Sequence, residues 1–308
     1  MPYKYTISTI YRNQYMSTKP PQMAVPPSVA KNPLAKLFRQ PAIYFMPPSQ
    51  GRWWPTGAMN VPETGEFAVF PMTSRDEITL RTPDALLNGQ GMVEVIQSCI
   101  PDIKDAWKMP ATDVDATLIA IRIASYGHKM DFDSTCPFCD ETHTYALDLR
   151  SMLDAIKCPN FDETLQLNEL RIKFKPQAYY GMNKTSKINF EVQKLGQSID
   201  GIEDSDIKVQ EAIVQMNRLI DLNFEVLADC TEYIIINDNP DEQIKNKDFI
   251  LEFYRNIPST LLGSIQDAYT VLARAGAVPP TKTLCAGCQG ELEMAIQFDY
   301  ANFFGNGS

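Results

Sequence analysis

Two Cys-x-x-Cys pairs that are far apart in this 308-residue sequence constrain its fold more than any other feature. The first pair is Cys136 with Cys139, the second is Cys285 with Cys288, and residues 140–284 lie between them. A two-residue gap lets one tight turn aim two sulfurs at a single ion, and four thiolates complete the tetrahedral shell of a structural zinc ion. We therefore predict one Zn²⁺ site that ties the middle of the chain to its C-terminal region.

The residues around both pairs have the pattern of β-strands. Apolar residues alternate with polar ones before and after the first pair, as at Phe132 and Tyr145, and a long alternation runs from Leu292 to Tyr300 after the second. These patterns predict hairpins whose turns carry the thiolates, which is the arrangement of a zinc ribbon. A redox Cys-x-x-Cys is the alternative, but that motif is typical of a helix start. Because four cysteines leave no open coordination position, the predicted role of the ion is structural.

The remaining cysteines and histidines offer weaker candidates for ligands. His143 follows Cys139 by four residues and would be a ligand only if one cysteine were not. It shares strand parity with Tyr145, Leu147 and Leu149, which predicts a partly buried, hydrogen-bonded strand residue instead. The isolated cysteines are predicted to be buried small apolar residues; they are Cys99, Cys158 and Cys230.

Residues 1–60 differ from the rest of the chain in proline content and charge. Ten of the 22 prolines lie at or before Pro55, and residues 1–55 hold seven of the 28 basic residues but none of the 38 acidic ones. Proline lacks an amide donor and fixes φ, so this segment is predicted to be an extended arm rather than a long helix or a central strand. A basic arm on an acidic body predicts binding to another acidic surface, and this surface is either nucleic acid or, with at least equal weight, an acidic protein subunit such as another copy of this chain.

The arm is too rich in aromatic residues to be an ordinary solvated linker. We predict that its apolar and cationic side chains anchor it in pockets of a partner; the candidate partner-binding residues are Tyr44, Phe45, Arg52, Trp53 and Trp54. Two alternatives stay open at this point. The arm could pack on its own body, and the Trp53-Trp54 pair with Arg52 could stack on bases.

The rest of the sequence predicts an α+β fold, with helices mixed with antiparallel strands. Residues 66–82 are predicted to be a strand pair, because Ile78 and Leu80 alternate with polar residues, and Asp206 to about Ile235 is predicted to be one long amphipathic helix. Another helix is predicted from near Asp113 to Gly127, with Arg122 on a solvated face. The predicted domains are 1–60 (arm), 61–135 (α+β), 136–149 with 281–300 (zinc ribbon) and 150–280 (largely helical insert).

Several functional classes are disfavoured by the sequence. It contains no glycine-rich phosphate loop, Gly-x-Ser-x-Gly or His-Glu-x-x-His motif, so we predict no catalytic residues and no enzyme. No apolar run reaches the length of about 18 residues that a membrane span needs. The first five residues lack the apolar segment of a signal peptide, so the seven cysteines are predicted to be reduced thiols, some of them metal-bound, rather than disulfides.

The order of several motifs in the middle of the chain resembles a known family. Glu77 to Pro83 is followed by Cys99-Ile100-Pro101, then by the segment from Asp113 to Gly127, and then by Cys136-x-x-Cys139. This order, over about residues 66–150, resembles the T4-type bacteriophage baseplate hub family, whose members build or help to assemble the hub of contractile phage tails. The resemblance implies a virion protein that is made in the host cytoplasm and binds other baseplate or tail proteins in a symmetric, multi-copy assembly.

The favoured hypothesis is therefore a non-enzymatic structural protein of a phage tail baseplate, at or near the hub, whose arm binds neighbouring subunits. A baseplate assembly chaperone that does not stay in the particle is the first alternative. A nucleic-acid-binding zinc ribbon is the second, and it is disfavoured because acidic residues flank both pairs; they are Asp131, Asp133, Asp140, Glu141, Glu291 and Glu293.

Overall fold

The computed structural model describes residues 33–82, 89–199, 205–237, 239, 242–294 and 303–304. The chain forms two compact units, Met1–Phe38 and Arg39–Ser308. The described end of the first unit is a short 3₁₀ helix, Pro33–Leu37. Residues 39–60 of the predicted arm therefore belong to the second unit, which contains all the elements described below.

Helices and antiparallel strands alternate along the second unit, which confirms the predicted α+β class. The eight α-helices of the described residues are α1 (Ser74–Arg81), α2 (Gln90–Cys99), α3 (Ala111–Tyr126), α4 (Leu149–Ala155), α5 (Tyr179–Ile199), α6 (Ser205–Asp229), α7 (Lys247–Asn256) and α8 (Ser259–Arg274). The strands are β1 (Ile43–Phe45), β2 (Phe67–Val69), β3 (Lys129–Thr135), β4 (Thr142–Asp148), β5 (Thr164–Leu167), β6 (Leu170–Phe174), β7 (Thr231–Ile236), β8 (Thr281–Leu284) and β9 (Glu291–Met294). The strands pair as β1–β2, β3–β4, β5–β6–β7 and β8–β9, all antiparallel.

The first hydrophobic core is built around α3, the helix predicted to end at Gly127. Most of α3 between Thr112 and Ile123 is buried, so the helix is covered on all sides rather than on one stripe. It ends at Gly127, whose φ of 86° suits a residue without a side chain. Side chains from α2, from the β1–β2 ribbon and from strands β4 and β9 complete this core, among them Phe45, Ile96, Leu147 and Met294.

The prediction of a solvated face for Arg122 is wrong. Arg122 is only 3% exposed, and its Nη1 donates a hydrogen bond to the carbonyl oxygen of Phe303. The guanidinium also lies 5.2 Å from the ring of Phe303 and 5.4 Å from the ring of Tyr126. Because α3 is buried on all sides, the cation is held by a carbonyl and two aromatic faces instead of by water.

The predicted strand pair over residues 66–82 is correct only in its first half. Phe67–Val69 is a strand, but Ile78 and Leu80 belong to helix α1. A capping box begins this helix: the Thr73 hydroxyl accepts from the Asp76 backbone N–H, and the Asp76 carboxylate accepts from the Thr73 backbone N–H. These reciprocal bonds satisfy helix-end donors. They favour the helical conformation over the strand that a period-two pattern suggested.

The second hydrophobic core lies between the β5–β6–β7 sheet and helices α7 and α8, with the end of α6 packed against it. The long helix predicted to reach Ile235 ends at Asp229, and Thr231–Ile236 forms the edge strand β7 instead. Three consecutive isoleucines, Ile234 to Ile236, favour a strand because β-branched side chains fit a pleated surface. Pairing with β6 then satisfies the backbone groups of this segment.

Candidate metal centre

Two hairpins hold the four predicted ligands at their turns. Strands β3 and β4 pair up to Thr135 opposite Thr142, and the turn between these residues carries Cys136 and Cys139. Strands β8 and β9 pair up to Leu284 opposite Glu291, and this turn carries Cys285 and Cys288. Both predicted hairpins are confirmed as far as Met294; the alternation predicted through Tyr300 continues beyond the described residues.

The two turns have the same backbone hydrogen bonds at equivalent positions. In the first turn the Cys136 N–H donates to the Glu141 carbonyl (2.9 Å), and the Asp140 N–H donates to the Cys136 carbonyl (3.0 Å). The second turn has the equivalent bonds from Cys285 to the Gly290 carbonyl (2.9 Å) and from Gln289 to the Cys285 carbonyl (3.0 Å). Asp140 and Gln289 also share a left-handed backbone conformation, with φ of 57° and 59°. Each Cys-x-x-Cys is therefore shaped by the same local fold, although the other residues of the turns differ.

The four sulfurs come together at distances that fit one metal ion. Cys136 Sγ lies 3.7 Å from Cys288 Sγ, Cys139 Sγ lies 3.7 Å from Cys285 Sγ, and all four lie within 4.8 Å of one another. A tetrahedral ion with metal–sulfur bonds of about 2.3 Å sets its ligands about 3.8 Å apart. Disulfide sulfurs are about 2.0 Å apart, so this spacing excludes a disulfide. The residues present therefore fit a four-thiolate metal site.

Backbone amides prepare one of the four sulfurs to be a thiolate. Hydrogen bonds from the backbone of Cys288, and then of Gly287, lower the pKa of the buried Cys285 thiol from 9.0 to about 6, although burial opposes this. A thiolate at Cys285 is the form that binds metal, and metal binding then displaces the protons of the other thiols.

The two turns also contact each other outside the sulfur cluster. The Ala286 N–H lies 3.4 Å from the Tyr145 hydroxyl oxygen, to which it donates. A Cβ on Gly290 would lie 2.9 Å from the Phe138 ring, which shows how closely Phe138 of the first turn covers the second. Together with the sulfurs, these contacts join residues from two distant parts of the sequence into one unit.

The predicted partner-binding residues have mixed surroundings. Tyr44 is 62% exposed, and Arg52 lies on the surface, where it pairs with Asp162 (2.9 Å) and stacks on Trp53. Phe45, Trp53 and Trp54 instead make contacts within their own body: Phe45 is 5% exposed, the Trp53 ring meets Phe161 edge-on at 5.3 Å, and the Trp54 indole N–H donates to Asp113 (2.8 Å). Their binding to a partner stays a prediction.

Asp113 is a buried anchor that the sequence analysis did not single out. Its carboxylate accepts from the Ser49 backbone N–H (2.7 Å), from the Ser49 hydroxyl (2.5 Å) and from Trp54. Burial raises the pKa of this carboxyl, against the effect of these donors. The sequence signal was an acid in the first turn of an otherwise apolar helix, a position that a helix dipole alone also explains.

Arg39 is a second anchor that the sequence analysis missed. Its guanidinium donates to the carbonyl oxygens of Pro71 (2.9 Å) and Ser98 (2.7 Å) and forms an ion pair with Asp76 (3.3 Å). Because its partners lie more than 30 residues away along the chain, no local pattern could have identified it. Of the isolated cysteines, Cys99 and Cys230 are buried as predicted, and Cys158 is partly exposed.

Neither curated proteins nor solved structures gave a match. No helix in the described part of the chain has the length and apolarity needed to cross a membrane. A family model described as T4 bacteriophage base plate protein matches residues 59–305, which is most of the sequence and includes all four clustered cysteines. This chain therefore belongs to the T4 bacteriophage base plate protein family.

Proposed function

We propose that this protein is a structural subunit at or near the hub of a contractile phage tail baseplate, and that its N-terminal arm binds neighbouring tail subunits. The observation that carries the proposal is the family match over residues 59–305, which supports a component of a phage baseplate. The hub position rests on the motif order of residues 66–150, which resembles hub proteins. The expected place of the protein is the virion tail, in several symmetric copies, with a non-enzymatic role.

The proposed cofactor is one structural Zn²⁺ held by Cys136, Cys139, Cys285 and Cys288. The sulfur separations of 3.7 Å support this assignment, as does the shared backbone conformation of the two turns. Four protein ligands would complete the shell of the ion. The ion would therefore hold the β3–β4 and β8–β9 hairpins together and supply no reaction centre.

Charge supports the proposed role of the arm. Residues 1–55 contain basic residues and no acidic ones, while the whole chain carries a net charge of −10. Opposite charges steer such a segment to an acidic neighbour, which includes the body of another copy. The family match begins at residue 59, so all but the last two residues of the arm lie outside the matched region.

The distribution of acidic residues argues against a nucleic-acid-binding ribbon. Nucleic-acid binding requires basic side chains that contact phosphates. Most of the exposed charged side chains that flank the two turns are instead carboxylates, at Asp131, Asp133, Asp140, Glu141, Glu291 and Glu293. The basic Lys282 is paired with one of them, Glu293 (2.9 Å). The assembly chaperone remains the alternative to be tested.

Quantitative mass spectrometry of purified particles distinguishes a resident subunit from a chaperone. We expect this chain in mature tails at a constant ratio to the tube protein, before and after separation of tails from DNA-filled heads. Its absence from mature tails would contradict the resident role and support the chaperone.

The role of the arm is tested by charge removal in the full-length chain. We expect that replacing four arm cations by glutamine reduces incorporation into tails at least tenfold without changing thermal unfolding; these are Lys4, Arg12, Lys19 and Lys31. The matched control replaces four exposed cations of the body, which are Lys129, Lys157, Lys187 and Lys245. Equal incorporation of both variants would show that arm charge does not drive binding.

A further inference from the structure

We propose that Cys139, Glu141 and His143 form a second divalent-cation site, which shares the Cys139 thiolate with the four-cysteine centre. The three side chains place one ligand atom each within 4.8 Å of the others. The proposal rests on the structural zinc proposed above, because the shared thiolate belongs to that site. It makes His143 a metal ligand, whereas its position in the strand predicted a partly buried, hydrogen-bonded residue.

The separation between Glu141 and His143 is that of two ligands of one ion. Glu141 Oε2 lies 3.4 Å from His143 Nε2. Within the described residues this nitrogen has no hydrogen-bond partner, although it is shielded from solvent. Ligands that bind a tetrahedral Zn²⁺ at about 2.0–2.1 Å are about 3.3–3.4 Å apart. The distance between His143 Nε2 and Glu141 Oε2 therefore equals the distance between two ligands of one tetrahedral Zn²⁺, and the two atoms form no hydrogen bond with each other.

Local structure sets the three ligands beside one another. Residues 139, 141 and 143 follow one another at intervals of two, and His143 points to the same side of β4 as Tyr145. The Glu141 carbonyl is fixed by the Cys136 N–H, and the His143 ring packs edge-on against Tyr145, with ring centroids 6.5 Å apart. These contacts hold the Glu141 backbone and the His143 ring in place.

The second turn leaves room for this site through a glycine. A Cβ on Gly287 would lie 2.6 Å from Glu141 Oε2 and 3.0 Å from His143 Nε2. Both ligand atoms therefore reach the backbone of the second turn at Gly287, which has no side chain. A side chain at residue 287 would therefore fill the space in which the cation would bind.

The ligand chemistry fits zinc. Thiolate, imidazole and carboxylate are the three donor types that Zn²⁺ takes from proteins. A zinc ion with four thiolates carries two excess negative charges, and Glu141 adds a third nearby. A second dication would offset most of this charge, with Cys139 bridging the two ions. Three protein ligands leave its fourth position open to water.

The test is the zinc stoichiometry of the full-length protein by native mass spectrometry, after reduction and dialysis against excess Zn²⁺. We expect two zinc ions per chain in the wild type and one in His143→Ala and in Glu141→Gln. Glu141→Gln keeps the shape of an exposed side chain and carries the test if His143→Ala fails to fold. Glu291→Gln, which changes an exposed carboxylate beside the second pair, is the matched control and should keep two.

Each outcome separates this inference from the structural zinc. One zinc in the wild type and in both variants overturns the second site and leaves the four-cysteine centre intact. Two zinc ions in the wild type and still two in both variants overturn the assignment to Glu141 and His143. No bound zinc in the wild type overturns both sites.

Discussion

Replacing Cys285 by serine tests whether the metal centre holds the fold together. Cys285 is fully buried, and its sulfur faces that of Cys139, which lies 146 residues earlier in the sequence. In the chain-entropy treatment, a link that closes a loop of about 150 residues stabilises the folded state by about 5 kcal/mol. The free energy of unfolding should therefore fall by about 3–5 kcal/mol, and the melting temperature by about 10 °C.

The assay is urea unfolding followed by tryptophan fluorescence, with and without a strong zinc chelator. The chelator should lower the stability of the wild type to that of Cys285→Ser, and it should not change the variant, since the variant has already lost the site. This comparison separates loss of metal from the small effect of placing a hydroxyl where a thiol was buried.

The matched control is Cys158→Ser, which changes an isolated, partly exposed thiol outside the cluster. We expect its stability to stay within about 0.5 kcal/mol of the wild type, with the same response to the chelator. Equal stability of Cys285→Ser and the wild type, together with no effect of the chelator, would refute the structural role of the metal.

Three further substitutions test the anchors of the fold by urea unfolding. Asp113→Asn removes a buried carboxyl whose pKa is raised in the folded protein. As pH rises above about 4, this carboxyl ionises in the unfolded chain before it ionises in the folded one, so the free energy of unfolding of the wild type should fall until the pH reaches the folded-state pKa. The Asp113→Asn variant should not show this fall. Arg122→Met leaves the buried Phe303 carbonyl without this donor and should cost about 1–3 kcal/mol, whereas no measurable change would refute the role of this contact. Asn246→Ala removes the side chain that caps α7 through the Asp248 and Phe249 amides and should cost about 1 kcal/mol, with Asn256→Ala at the other end of the helix for comparison.

Local chemistry explains which features the sequence predicted. A Cys-x-x-Cys turn flanked by alternating strands specifies its own conformation, so the hairpins at 136–139 and 285–288 could be predicted separately. The contact between the two hairpins could be predicted because a structural metal ion needs four ligands and each turn supplies two. The fold class followed in the same way from helical and strand periodicity.

The wrong predictions share a different cause, which is competition between a local pattern and its surroundings. The period-two pattern around Ile78 predicted a strand, but the capping box at Thr73 stabilises a helix there. The helical pattern before Ile235 predicted a helix, but this segment forms a strand that pairs with β6. Arginine is usually exposed to solvent, but the helix that contains Arg122 is buried on every side. Its partner, Phe303, lies 181 residues away along the chain, which no sequence window can show.

The anchors at the start of the second unit limit which side chains of the arm are available to contact a partner. Arg39 is tied to the segments at Pro71 and Ser98, and Asp113 holds Ser49 and Trp54, so the stretch from residue 39 to residue 54 is fixed to the body at both ends. Side chains used in this way have little surface left for a partner. We therefore propose that the exposed Tyr44, Arg52 and the basic residues that precede Arg39 recognise a neighbouring subunit. This is why charge removal in the arm, rather than substitution of the tryptophans, is the informative experiment.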